Sequence, residues 1–205
     1  IQPSVNNKNI TFNSGTISIA SSGSTAFLNS DVNAFTTTAG TGTGYISLTS
    51  PSAKTFVGAG AFSIFIYNCS LNQGGAGTLT VAGANTFTNI TNSYGLTGAT
   101  TIRFPAGKTT TVNSFAASGT SGKMLTLSSD NTGSQATINY VGTDTTGAID
   151  YVSVKDLAFI PGPSATGTIP YTWYFGSNSI NNGNNSGGLY VTGKVYIITD
   201  TSTSS

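Results

Sequence analysis

Apolar and polar residues alternate in short bursts along this chain, and three of those bursts repeat one unit. Thr78-Leu79-Thr80-Val81 leads through a small-residue turn to Phe87 and Ile90. Thr101-Ile102-Arg103-Phe104 leads through Pro105-Ala106-Gly107-Lys108 to Val112 and Phe115. Met124-Leu125-Thr126-Leu127 leads through a polar turn to Ala136 and Ile138. Leu79 to Ile102 is 23 residues, and so are Ile102 to Leu125 and Phe115 to Ile138. Phe87 to Val112 and Ile90 to Phe115 are 25, which a turn longer by two residues explains. A period in the twenties with alternating strands in each unit predicts a β-solenoid. Tyr151 to Phe159 reads as a fourth copy, with Val152 27 residues after Leu125.

Upstream, Asn9–Phe12 and Thr16–Ile19 alternate with period two, as a hairpin or as two sides of one coil. Tyr45–Leu48 is a further strand. Ala61–Asn68 is the most apolar run, which suggests burial on both faces, and Leu71–Gly75 ends it. The glycines of 39–44 lack a following Gly-Lys-Ser/Thr and a helix, so they form a turn and not a phosphate loop. After Phe159 the style changes. Pro161, Pro163 and Pro170 break the chain, Tyr171–Phe175 is dense in aromatics, and 178–188 is rich in Asn and Gly. Leu189–Val191 and Lys194–Ile198 form a last strand pair. The expected organisation is a solenoid over residues 1–160 and a cap with a final strand pair over 161–205. At ~23 residues and ~4.8 Å per coil, the chain makes roughly nine coils and a rod on the order of 40 Å. Open coil ends leave backbone groups to be capped or paired with more chain. No amphipathic helix of useful length is evident.

Composition narrows the chemistry. Only 6% of residues are charged, the net charge is +1, and there is no His. That gives no field for nucleic acid. No run of about 18 apolar residues exists to span a membrane. Aromatics at 10% in ordered alternation argue against disorder. The chain begins at Ile1 without Met, as a processed product or a piece of a longer protein does. Cys69 has no partner for a disulfide and suits a small buried position.

Catalytic constellations are sparse. The carboxylates are Asp31, Asp130, Asp144, Asp150, Asp156 and Asp200. Asp144, Asp150 and Asp156 lie close in sequence, but Asp residues beside turns bond their own backbone. A calcium loop pattern is missing. Without His there is no Ser-His-Asp triad, and one Cys makes zinc improbable. No catalytic, cofactor or metal residues are therefore assigned. Arg103 with Lys108 or Lys123 is a candidate base for polysaccharide elimination. Arg103 lies opposite the apolar positions of its strand, which favours a solvated face. Tyr171, Trp173 and Tyr174, beside Phe175, form either a sugar-stacking platform or a plug over the end of the core. Asn89, Asn92, Asn113, Asn131 and Asn139 fall near turns, where Asn tolerates left-handed backbone and can stack into amide ladders. Sequons at Asn9, Asn68, Asn89 and Asn184 are expected by chance in so polar a chain.

Several elements recur in a fixed order: Phe104-Pro105-Ala106-Gly107-Lys108-Thr109, Val112–Lys123, Leu125–Ser129, Gly133–Ile138, Tyr151–Asp156, Trp173-Tyr174 and Gly183-Asn184-Asn185-Ser186-Gly187. Over roughly residues 55–188 this order resembles a repeat-containing β-solenoid region of tail-fibre-like and virion structural proteins of tailed bacteriophages, and of related surface proteins. One departure is Gly188, where Trp commonly follows in that region. The resemblance implies a structural role in a virion or at a cell surface, with no catalytic residues to transfer.

The expected fold is all-β, a parallel β-helix (β-solenoid), with a β-sandwich as the alternative. The expected function is a non-enzymatic module of a phage fibre, spike or surface appendage that mediates assembly and host attachment. It would be a homo-oligomer, a trimer or a filament, that touches other virion or surface proteins and host glycans. An extracellular filament or adhesin subunit is one alternative, and an extracellular polysaccharide lyase or hydrolase another. The enzyme requires a cleft where two or more Asp converge, or Asp with Arg103 or Lys123.

Overall fold

A computed structural model describes residues 8–12, 14–28, 35–39, 44–58, 65–142, 149–162 and 173–190. Asp31, Asp144, Asp200, Tyr171, Ala61–Ile64 and Lys194–Ile198 lie outside the described residues, as does most of the glycine turn at 39–44. The strands are β1 (Lys8–Phe12), β2 (Thr16–Ile19), β3 (Gly23–Leu28), β4 (Phe35–Ala39), β5 (Tyr45–Leu48) and β6 (Lys54–Val57). Then come β7 (Phe65–Gln73), β8 (Leu79–Ala82), β9 (Asn85–Thr91), β10 (Thr100–Phe104), β11 (Thr109–Ala116) and β12 (Leu125–Ser129). The last are β13 (Ala136–Tyr140), β14 (Val152–Lys155), β15 (Leu157–Ile160), β16 (Trp173–Phe175), β17 (Ile180–Asn181) and β18 (Gly188–Tyr190). The helical content among the described residues is one 3-10 turn, Ser93–Leu96.

The strands stack as a parallel β-solenoid. One seven-stranded sheet runs β3-β6-β8-β10-β12-β14-β17, and a second runs β2-β5-β7-β9-β11-β13-β15. Successive coils pair in parallel throughout both sheets. β1 pairs with β4 and β2 with β5, so the first two segments are sides of one coil and not a hairpin. That excludes the sandwich, whose sheets are antiparallel.

The long strands turn a corner. In β9 the inward residues are Asn85 and Phe87, then Thr88 and Asn89 both face away, and Ile90 points in again. β11 does the same at Asn113 and Ser114, between Val112 and Phe115. A one-residue break in a period of two swings the strand onto a new face. β13 pairs with the first half of β11, and β5 with the second half of β7. Each central coil therefore has three sides.

Coil register corrects the sequence spacing. Leu79 lies beside Ile102, as the 23-residue step predicts. Ile102 then lies beside Leu127 and Thr100 beside Leu125, a step of 25. β8 joins β9 through two residues, whereas β10 joins β11 through the four residues Pro105–Lys108. Those two extra residues advance everything after them. Ile138 lies beside Thr110 and not Phe115, because β13 follows the first half of β11. The Leu125–Val152 step of 27 holds. Steps between paired residues thus vary around the stack, being 20 at Tyr67–Phe87, 21 at Ala136–Leu157 and 29 at Phe27–Phe56. Among the described residues each main sheet holds seven strands, which span roughly 30 Å. β7 continues to Gln73, past the expected stop, because Ser70–Gln73 is the segment that pairs with β5. The stack also runs past residue 160, where β17 pairs with β14 and Ile149 bridges Phe175.

Stacking in register builds columns inside the coils. Lys54, Leu79, Ile102, Leu127 and Val154 form one, and Thr100, Leu125 and Val152 another. The Phe27 and Phe56 rings stack with centroids 4.5 Å apart, and Tyr67 stacks on Phe87 at 5.4 Å. Cys69 is buried in the same core, and burial pushes its thiol up to about 12. Leu127→Ala should destabilise by about 2–5 kcal/mol in denaturant titration, because its neighbours on both sides are fixed. Thr126→Ala, one position along and outward, should stay within about 0.5 kcal/mol.

Candidate functional site

Charged side chains are few, and most of those described are engaged in holding coils together. Lys54 occupies an inward position and is only 1% exposed. Its Nζ donates to the main-chain oxygens of Ser50 (3.0 Å), Gly75 (3.4 Å) and Gly77 (2.7 Å). Gly75 and Gly77 press on the backbone of Ser50 and Ser52, where a Cβ would collide. That close approach lets the carbonyls converge on the amine. Burial brings the Lys54 pKa down to about 8, which still leaves the amine charged at neutral pH. Lys123 donates to Leu96 O at 2.8 Å.

The carboxylates serve as acceptors for backbone. Asp130 Oδ1 accepts from the Ala106 N–H of the preceding coil at 2.8 Å. Asp150 accepts from Tyr151 N, Asn178 N, Asn178 Nδ2 and the Ser179 hydroxyl. Burial alone would raise its pKa, but these donors, led by the Asn178 side chain, hold the carboxyl below its usual range. Asp156 is 2% exposed, at a positive φ of 58°. It accepts from Asn184 Nδ2 and Gly133 N, and the Asn184 bond is the main cause of its lowered pKa. The turn reading of Asp150 therefore holds, and its main ties run 28 residues on, to the next coil.

Among the depressions on the described surface, two bear on the candidate chemistry. A shallow groove of about 400 Å³ crosses the coils and is lined by Tyr45, Ser47, Asn72, Thr91 and Ser93, among others. Asn72 organises it: Nδ2 donates to the Ser47 and Ser93 hydroxyls, and Oδ1 accepts from Thr91 Oγ1 and Ser93 N. The second depression, about 240 Å³, is walled by Arg103, Ser128, Asp130, Ser153, Lys155, Asp156 and Asn182 and neighbours. It brings two Asp near two cations, as the enzyme alternative requires, but with Lys155 in place of Lys123. Asp150 stands apart from it. A general acid needs a raised pKa, and Asp156 is shifted the other way. Among the described residues no three His, Cys, Asp or Glu side chains group to hold a metal, and no helix is long and apolar enough to cross a membrane.

The proposed sugar platform is largely dismantled. Trp173 is fully buried, with its ring packed on Phe115, Tyr140 and Phe159 and its Nε1 donating to Ile160 O at 2.9 Å. With no face open to solvent, it cannot stack on a sugar and instead fills the core. Tyr174 alternates outward and is half-buried. Arg103 is exposed, as its place opposite the apolar positions implied. The turn asparagines form no ladder across the coils. Asn89 lies beside Ser114, Asn139 lies between Thr111 and Ile160, and Asn92 caps the 3-10 turn by accepting from Gly95 N. Sequence reasoning missed Lys54, Asn72 and Lys155. Only Lys155 left a signal, since correct register places it in line with Arg103.

Asp150→Ala should cost about 2 kcal/mol in denaturant titration, the scale of charge-assisted hydrogen bonds. A carboxylate whose folded pKa lies below its unfolded value of about 3.8 stabilises the fold above that pH. The stability is lost as pH falls below it. Thermal melts from pH 7 to 2 should drop under pH 4, and less steeply in the Asp150→Asn variant.

Compared with protein-family models, with curated proteins and with solved structures, the chain matches none of them.

Proposed function

We propose that this chain is a non-enzymatic structural module of an extracellular fibre or spike, of the kind phage virions carry. It forms a stiff shaft, assembles as a homo-oligomer and presents shallow glycan contacts to a host surface. The observation that carries this reading is the use of charge. Asp130, Asp150, Asp156, Lys54 and Lys123 each bond backbone in a neighbouring coil or turn, and so serve the stack. A parallel stack with an apolar interior suits a shaft that must not bend. The uncharged groove around Asn72, with Tyr45 at its side, offers hydroxyls and an aromatic edge to a neutral sugar. Such contacts are weak singly, and a trimer would repeat each one and raise avidity without new contacts.

A polysaccharide-acting enzyme is the competing reading, favoured only by the pocket where Asp130 and Asp156 meet Arg103. Light scattering with electron microscopy separates the two. Assembled elongated particles that leave glycans intact are expected. A dispersed monomer that depolymerises a glycan, and loses that activity on Asp130→Asn or Asp156→Asn substitution, would overturn the structural reading.

A further inference from the structure

Resting on the attachment reading above, we infer that the Arg103–Lys155 pocket is a binding subsite for an acidic saccharide, one bearing carboxylates on a hydroxyl-rich backbone. Among the charged residues whose side chains are described, Arg103 and Lys155 alone make no hydrogen bond to the described residues. Lys54 and Lys123 are committed to carbonyls, and Lys108 is engaged elsewhere. Both cations are exposed.

Their placement is set by register. Arg103 pairs with Ser128, and Ser128 pairs with Lys155. The three side chains share one outward column, with the cations two strand spacings apart, roughly 10 Å, and a hydroxyl between them. The next outward column is Thr101, Thr126 and Ser153. Two positive ends flank a bed of hydroxyls, and Arg103, Thr126, Ser128, Ser153 and Lys155 line one pocket of about 240 Å³.

The acidic wall does not cancel the cations for a ligand. Asp156 is buried, with one oxygen taking Gly133 N and the other Asn184 Nδ2. Asp130 gives one oxygen to Ala106 N and keeps the other for a sugar hydroxyl. Lys155 lies within electrostatic reach of Asp156, and both line the pocket. Arg103 offers a planar fork that matches a carboxylate, and Lys155 offers a point charge. The pocket lining contains no aromatic or large aliphatic side chain, so it has no anchor for an acidic peptide. The chemistry that fits is hydroxyls with spaced carboxylates.

Affinity electrophoresis of the full chain in gels holding polygalacturonate tests this. Methyl-esterified polygalacturonate and polyglutamate serve as the neutral and the peptide comparisons. The protein is expected to be retarded by polygalacturonate alone, less so as salt rises. Arg103→Gln and Lys155→Gln should each weaken retardation about tenfold, and the double variant should abolish it. Lys123→Gln removes the same charge from a committed side chain and should bind as the parent does. The exposed positions should leave melting temperatures unchanged, and Arg103→Lys should keep part of the binding. Equal loss in Lys123→Gln, equal retardation by polyglutamate, or no retardation by polygalacturonate would overturn the subsite. No retardation of a protein that still assembles into rods overturns the subsite alone. Depolymerisation of the polymer overturns the module reading itself.

Discussion

The structure depends on register between parallel coils. Each backbone ladder fixes which side chain lies beside which, so every inward position is judged by its neighbours above and below. Leu127 has to fit between Ile102 and Val154, and Leu125 between Thr100 and Val152. Columns of like shape satisfy this over the middle of the chain. Where shape changes, the chain compensates locally. Lys54 heads the column that continues as Leu79, and its ammonium is tied to three carbonyls that two close-packed glycines bring together. The corner residues Thr88–Asn89 and Asn113–Ser114 let one strand serve two faces, with the pairing of β9 and β11 resuming in the same register beyond the corner.

The same constraint explains the scarcity of charge and its uses. A rod whose coils repeat at one strand spacing would stack like charges on top of one another, and like charges directly opposite are destabilising. The outward columns are accordingly Thr, Ser and Asn, with Arg103 and Lys155 separated by Ser128. The carboxylates sit at the turns, where backbone N–H groups lack a ladder partner. Asp130 and Asp156 close neighbouring turns in the same way, each accepting from a main-chain N–H of the preceding coil. The depressed pKa values of Asp150 and Asp156 follow from such bonds.

Much of the fold is legible in the sequence because alternation survives any even shift. The strands from Leu79 to Phe159 and their solenoid arrangement follow from period two and a repeat in the twenties. Register is less legible for the same reason. Sliding β12 by two residues keeps Leu125 and Leu127 inward, so the pattern does not distinguish a step of 23 from one of 25. Only the length of the Pro105–Lys108 turn decides it. Once that shift is made, Arg103 and Lys155 fall into one column, which linear spacing hides. Trp173 was ambiguous because an aromatic in a short strand carries no sign of which way it faces. Its inward position follows from Phe115, Tyr140 and Phe159 meeting it from other coils. Asn72 left no signal at all, since its four hydrogen bonds run to Ser47 of β5, Thr91 of β9 and Ser93 of the 3-10 turn.

The most direct test of a register-locked parallel stack is residue-level amide hydrogen exchange on the native chain. Parallel stacking predicts slow exchange in β10, β12 and β14 together, since each ladder shields the next, and fast exchange at the exposed Ser121–Gly122 and Thr132 turns. Protection in β10 and β12 that differs by orders of magnitude, or slow exchange in those turns, would contradict a single cooperative solenoid.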